Sequence, residues 1–229
     1  MSSTGNPSSQ GAIRRLERAQ QEASENAAEF WGRAAQAIDW FTPPNVAFDD
    51  IEGWFPDGKL NTCHNCLDRH VAAGRGGSTA LIYDSPVTKT IKRYSYSELL
   101  EQTGRVAAML KNLGVAQGDR VVIYMPMVPE TVFAMLACAR LGVVHSVVFG
   151  GFSPLELAKR IDDATPKLVL TASCGIEGGR TIAYKPLVDE AIALTSHPVQ
   201  NVVLLQREQV AATLNPYRDI DWMELRTRT

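Results

Sequence analysis

Hydrophobic and polar positions fall into three regimes along the chain. Residues 1–12 carry no periodic apolar signal and are mostly Ser, Gly, Gln and Asn, which predicts a disordered tail. Over residues 13–38, Ile13, Leu16, Phe30, Trp31 and Ile38 recur among charges and alanines, a helical pattern that Pro43-Pro44 ends. Residues 39–75 are rich in aromatics and turns. Trp54-Phe55-Pro56-Asp57-Gly58 is a tight-turn pattern, and Asn61 or Thr62 caps a predicted helix through Leu67 and Val71 towards Gly74. Residues 13–75 thus form an N-terminal helical and connecting segment, separated from residues 76–229 by the Gly74-Arg75-Gly76-Gly77 break.

From Thr79 the pattern becomes regular. Thr79–Tyr83 and Ile91–Tyr94 are strand-like, with Asp84-Ser85-Pro86 supplying turn residues, so an antiparallel pair is expected. Ser95 and Glu98 have capping-box spacing, and Leu99, Val106, Leu110 and Leu113 follow at helical intervals up to Gly114. Strands are then predicted over Val121–Met125, Val143–Val148, Lys167–Thr171 and Val202–Gln206. Helices alternate with them over Glu130–Leu141, Pro154–Ala164 and Leu187–Leu194. This alternation specifies an α/β fold with right-handed crossovers and a mostly parallel sheet.

Parallel strands end on one edge of their sheet, where open α/β folds bind ligands. Three loops should meet there. The first is Pro126-Met127-Val128-Pro129, stiff and apolar. The second is Phe149-Gly150-Gly151-Phe152, where two glycines bare the backbone; Ser153, Pro154 and Glu156 then open a helix as a capping box. The third runs from Ala172 to Arg180 through Glu177-Gly178-Gly179. Glycines for close approach, Arg180 for phosphate and Phe149 or Phe152 for stacking suit a ligand with phosphates and a flat ring. Each residue also has a plainer reading: a Gly-Gly turn that is only a turn, a solvated arginine, core phenylalanines.

Composition removes several classes. The chain has 229 residues, 45% hydrophobic and 21% charged, as in ordinary globular proteins. Its 23 basic and 25 acidic residues leave a net charge of −2, which favours neither nucleic acid nor an anionic membrane as partner. No apolar run spans a bilayer, and no secretory signal core stands at the N-terminus. Arg14-Arg15 in a Ser-rich start resembles a mitochondrial presequence, but Glu17, Glu22 and Glu25 oppose that, so a cytoplasmic location is expected with the mitochondrial matrix as the alternative. Cys63, Cys66, Cys138 and Cys174 do not form a disulfide framework. Cys63, Cys66 and His70 would share one face of a helix as half a zinc site. No second Cys-x-x-Cys pair completes it, and no metal site is expected.

The residues carry a family resemblance. Trp54-Phe55-Pro56-Asp57-Gly58-Lys59-Leu60-Asn61 with Asn65-Cys66-Leu67-Asp68-Arg69-His70, Gly118–Met127, and Cys138-Ala139-Arg140-Leu141-Gly142 resemble the N-terminal part of AMP-forming acyl-CoA synthetases of the acetyl-/propionyl-CoA synthetase group, within the adenylate-forming superfamily. The sharpest match is Val147-Val148-Phe149-Gly150-Gly151-Phe152-Ser153-Pro154 followed by Arg160-Ile161-Asp162-Asp163. The resemblance implies that residues 76–229 are an incomplete α/β subdomain. It also implies a ligase that joins a short carboxylic acid to CoA, using ATP with Mg and releasing AMP and pyrophosphate.

By the same resemblance, Phe149, Gly150, Gly151, Glu177, Gly178, Gly179 and Arg180 form part of a CoA site. Where acetyl-CoA synthetases usually read Arg-x-Gly-Arg, this chain has Glu177-Gly178-Gly179-Arg180, a departure at the first arginine. Gly175-Ile176-Glu177 and Tyr184-Lys185-Pro186-Leu187 look more like the propionyl-CoA branch, so propionate is favoured over acetate. The family's phosphate loop, adenine segment and catalytic lysine are not in these residues. The chain alone is therefore expected to be inactive, with no catalytic residue of its own and no tightly bound cofactor. The partners implied are small molecules: CoA, ATP and a short carboxylate. Self-association through an exposed sheet edge is a further expectation. The alternative function is a non-catalytic CoA- or nucleotide-binding module or a truncated product.

Overall fold

A computed structural model describes residues 7–228. The chain divides into two compact units, one ending at Asn61 and one starting at Thr62. The division precedes the expected 75/76 boundary because Cys63 and Leu67 are buried in the core of the second unit.

In the first unit, helix α1 (Pro7–Glu25) begins within the stretch expected to be a disordered tail. Pro7 occupies the first helical position, where a missing N–H costs nothing. The rest of that expected tail, residues 1–6, lies outside the described residues. The single helix expected over 13–38 is broken at Asn26. Its Oδ1 accepts the Glu29 N–H at 3.3 Å and caps α2 (Ala27–Ala35). Four short strands follow: β1 (Trp40–Thr42), β2 (Phe48–Asp49), β3 (Gly53–Trp54) and β4 (Lys59–Leu60). They pair antiparallel as β1 with β4 and β2 with β3. The Trp54–Gly58 turn forms as expected, closed by Gly58 N–H on Phe55 O at 3.0 Å.

The second unit opens with π-helical turns at His64–Asp68 and Val71–Arg75. This widening turns Cys63 inward and leaves Cys66 exposed. The shared face expected for Cys63, Cys66 and His70 does not form. His70 instead packs on the Tyr96 ring, 4.8 Å between centroids, and bonds Arg75.

Strands β5 (Thr79–Ser85) and β6 (Thr90–Ser95) form the expected antiparallel hairpin. The Ser95/Glu98 capping box then starts α3 (Tyr96–Asn112). The βα alternation follows: β7 (Arg120–Tyr124), α4 (Pro129–Leu141), β8 (Val144–Val147), α5 (Pro154–Ala164) and β9 (Leu168–Ala172). Gly142 ends α4 with φ +68°, a left-handed conformation that suits glycine. Next comes an antiparallel hairpin of β10 (Cys174–Glu177) and β11 (Arg180–Ala183), where a loop was expected. Helix α6 (Tyr184–Leu194), β12 (Val202–Leu205), β13 (Asp219–Asp221) and α7 (Trp222–Thr227) complete the unit. The pair β13–α7 was not expected from the sequence pattern.

Five strands form one parallel sheet in the order β13-β12-β9-β7-β8. Alternate residues face opposite sides. Val121, Ile123, Leu168, Leu170 and Val203 pack with Leu110 of α3, Phe133 of α4 and Trp222 of α7. Val122, Tyr124, Val169 and Val202 pack with Leu157 and Ile161 of α5 and Val188 of α6. Burial on both faces explains the unbroken Val/Leu/Ile runs. Strand β8 is one edge, with Val144 59% and Val147 50% exposed.

A charged cluster ties α6 to the far edge of the sheet. The fully buried Asp219 carboxylate takes Lys185 Nζ at 2.9 Å and Arg218 Nε at 2.8 Å, and the same two cations also reach Asp189. Burial alone would raise the Asp219 carboxyl, but hydrogen bonds from Arg218 and Lys185 hold it below the usual carboxylate range. Because the folded-state value is depressed, this stabilisation is present at neutral pH. It fades as pH falls below about 4, the unfolded carboxylate range. Asp219→Asn should lower unfolding free energy at pH 7 by about 1.5–3 kcal/mol, the loss of charged hydrogen bonds to Lys185 and Arg218, which keep Asp189 as a partner. Urea unfolding at pH 7 and pH 3 should show the gap to wild type narrowing at the lower pH. A variant as stable as wild type at pH 7 would contradict this account.

Candidate functional site

Strands β7 and β8 end on a cavity of about 570 Å³. Its walls come from the β5–β6 turn (residues 83–87), Met125–Val128 after β7, Val147–Gly150 after β8, Ile176–Gly178 of the hairpin, Tyr184 and Arg207. Strand-end logic found the second, third and fourth of these, the fourth as a loop rather than a hairpin. The β5–β6 turn was not foreseen as a wall, because that hairpin lies outside the parallel sheet.

The Gly-Gly loop is held from below by two buried tyrosines. Tyr124, the last residue of β7, donates its hydroxyl to Gly150 O at 2.8 Å and Phe152 O at 3.0 Å. Tyr184, the first residue of α6, donates to Glu177 Oε1 at 2.9 Å. Their rings lie 5.0 Å apart at 38°. Burial, then the Glu177 charge, pushes the Tyr124 hydroxyl up to about 12. Tyr184 is raised too, by burial and then by its hydrogen bond to Glu177. Both phenols therefore stay protonated at neutral pH and act as fixed donors.

This packing explains two glycines. A Cβ on Gly150 would overlap the Tyr184 hydroxyl and lie 2.7 Å from its Cζ; one on Gly175 would lie 2.5 Å from the same Cζ. The phenol ring fills the space that side chains would occupy on both the loop and the hairpin. Gly178 and Gly179 serve another purpose. Their φ values of +54° and +79° form the two-residue turn that sets Glu177 opposite Arg180.

The structure brings together four of the seven expected residues as cavity lining: Phe149, Gly150, Glu177 and Gly178. Gly151 lies behind the Phe149 ring, where a Cβ would come within 2.6 Å of it. Gly179 and Arg180 lie outside the lining. Arg180 is exposed, and its side chain has no hydrogen bond or ion pair among the described residues. Phe149 is 67% exposed, with its ring edge-on to Phe152 at 5.9 Å, so it is not a core residue.

The capping box expected at Ser153 is only half formed. Ser153 Oγ accepts the Glu156 N–H at 3.4 Å, while the Glu156 carboxylate turns to Lys159 Nζ at 2.6 Å.

Sequence reasoning missed Arg207. It stands two residues beyond the end of β12, so the strand-end rule that found the other loops also points to it. Its Nη1 donates to Cys174 O at 3.0 Å and its N–H to Ser173 Oγ at 2.9 Å, which seats the hairpin beside the sheet. Along the sequence Tyr124 reads only as a strand residue and Tyr184 only as part of the propionyl-branch motif, three residues before the expected helix start at Leu187. Their roles depend on tertiary packing.

The glycines separate by mechanism. Gly150→Ala should cost about 1–3 kcal/mol through overpacking against Tyr184. Gly178→Ala, with open space around it, should cost about 1–2 kcal/mol through its left-handed backbone. Urea unfolding measures both. Tyr184→Phe should relieve little of the Gly178→Ala cost but part of the Gly150→Ala cost, because the hydroxyl is what the new methyl meets. Equal relief of both would overturn the assignment.

Comparison with known proteins identifies the family. The AMP-binding enzyme family matches residues 68–224, and the acetyl-coenzyme A synthetase N-terminus family matches residues 16–66. Human acyl-CoA synthetase short-chain family member 3, mitochondrial, is 46% identical over 200 residues, 85% of this chain and 29% of its own length. Acetyl-coenzyme A synthetase of Yersinia pestis (strain Pestoides F) is 47% identical over 215 residues, 90% of this chain and 32% of its own. An uncharacterized protein of Pseudomonas aeruginosa is 57% identical over 201 residues, 86% of this chain and 32% of its own. The chain thus spans about a third of the length of the curated relatives it matches. With the family match covering most of its length and two of these relatives named as acyl-CoA or acetyl-CoA synthetases, the chain belongs to the AMP-binding enzyme family, as an N-terminal stretch of the short-chain acyl-CoA synthetase kind.

Proposed function

We propose that these residues form the CoA-facing part of an AMP-forming short-chain acyl-CoA synthetase, whose whole reaction joins a carboxylate to CoA and releases AMP and pyrophosphate from ATP. The supporting observation is the locked pair of Gly-Gly loop and Glu177 hairpin at the mouth of an apolar cavity, with an exposed aromatic ring on one side. Phe149, Gly150 and Gly151 give a stacking face and a close backbone approach. Arg180, exposed and with no partner among the described residues, is the phosphate contact at the rim.

Propionate is the favoured acid. The residues that suggest that branch, Gly175, Glu177 and Tyr184, form one physical unit here: the glycine makes room for the phenol, and the phenol holds the carboxylate. The site is read as cytoplasmic, with the mitochondrial matrix as the alternative.

The 229 residues contain no Ser/Thr/Gly-rich phosphate loop, and adenylation needs preorganised charge around the transferring group. This chain by itself is therefore read as binding CoA without making thioester. Calorimetric titration of the purified chain should show CoA binding, weakened about threefold or more by Arg180→Ala through loss of a charge-assisted phosphate contact. ATP with Mg and propionate or acetate should give no acyl-CoA. Absence of CoA binding would overturn the CoA reading. Thioester formation would overturn the claim of inactivity.

A further inference from the structure

Several hydroxyl protons around the Gly-Gly loop are already committed, while Tyr83, Ser85 and Arg207 bring donors to the same cavity. Tyr124 spends its hydroxyl proton on Gly150 O and Phe152 O, Tyr184 on Glu177, and Thr131 on Pro126 O at 2.8 Å. One Arg207 N–H is taken by Cys174 O. Two carboxylates, Glu177 and Asp84, line the same space against that one arginine.

Within this wall Glu177 is singular. Its Oε1 is fixed by Tyr184, so the carboxylate cannot swing away without orphaning a buried phenol. Its Oε2 receives no hydrogen bond among the described residues. It stands 3.4 Å from where a Cβ on Gly151 would be, beside the Phe149 ring. Arg180 sits opposite Glu177 in the hairpin register, and neither it nor Arg207, the cation of the same cavity, forms an ion pair with Glu177 among the described residues. An oriented acceptor without an ion-pair partner, next to an aromatic face, fits a flat ligand that carries an N–H or O–H at its edge, and it repels a phosphate brought to the same point.

We propose that Glu177 is a specificity-determining residue: it receives an amine or hydroxyl of the nucleotide end of the ligand at Oε2 and disfavours a phosphate there. This rests on the CoA reading above. CoA carries a 3′-phosphate on its ribose, and 3′-dephospho-CoA lacks it, so the two ligands differ in the group that Glu177 should reject. The wild-type chain therefore binds 3′-dephospho-CoA at least as tightly as CoA. Glu177→Gln keeps an oxygen for the Tyr184 hydroxyl, removes the charge and replaces the acceptor Oε2 with an amide NH2 donor.

Calorimetric titration of the full chain with each ligand at fixed salt tests this. The expected result is that Glu177→Gln shifts the affinity ratio towards CoA by about threefold or more, the scale of one like-charge contact near a protein surface. Glu177→Ala should shift it the same way, which keeps the test standing if one variant folds poorly; apo melting temperature checks folding. Arg180→Ala, at the rim, should weaken both ligands alike and leave the ratio unchanged. A ratio that neither Glu177 variant moves overturns the role of Glu177 while leaving CoA binding intact. Failure of the wild-type chain to bind either ligand overturns the CoA reading itself.

Discussion

The placement of Tyr184 is the constraint on which the site depends. It is the first residue of α6, its ring is buried at the carboxyl edge of the sheet, and it touches two backbones that have to be glycine. A loop after β8 and a hairpin after β9 are far apart in sequence, and no ladder hydrogen bonds join them. They meet because one phenol fills the gap between Gly150 and Gly175 and donates to Glu177. Tyr124 repeats the arrangement from β7, anchoring the carbonyls on either side of Gly151. A buried hydroxyl left without an acceptor is costly, so both tyrosines resist any loop position that breaks these bonds.

The same helix start has a second, opposite duty. Lys185, next to Tyr184, points to the Asp219 carboxylate at the head of β13. The first turn of α6 thus fixes the ligand edge through one side chain and the sheet's far edge through the next. Successive helical residues project about 100° apart, which makes that division geometrically natural. Movement of α6 would disturb the Gly-Gly loop and the buried ion cluster together. The loop is therefore rigid by linkage to a large core, although its own sequence is all glycine and phenylalanine.

Much of the second unit was legible because its signals were local and repeated. Buried strands appear as Val/Leu/Ile runs, and each helix between them has a recognisable start or stop, such as Ser95 with Glu98 or the left-handed Gly142. What escaped was non-local or competed with another local signal. Residues 172–180 read as a loop, although Gly178-Gly179 is a strong hairpin turn; the arms are only four residues each and follow directly on a strand. Asn26 was passed over as one polar residue in a helical run, while its side chain favours capping over continuing. The face shared by Cys63, Cys66 and His70 assumed a 3.6-residue period that π-helical turns do not keep. The tyrosine donors depend on where distant backbones lie, which no pattern along the chain records, whereas Arg207 stands just past a predicted strand end.

The fates of Glu177 and Arg180 show why motif matching alone falls short at this site. Both belong to one expected CoA-binding loop, with Arg180 as its phosphate contact. The two-residue turn makes them opposite partners in a ladder, yet burial treats them differently. Glu177 is drawn under the loop by Tyr184, and Arg180 stays in water. A charge held by a buried donor acts with fixed direction in a medium of reduced dielectric, while an exposed guanidinium acts through a mobile side chain screened by salt. The hairpin therefore sets a stationary acceptor inside and an adjustable cation outside. A ligand with a flat, donor-edged ring and a phosphate chain satisfies both when its ring end enters the cavity and its phosphates remain at the rim.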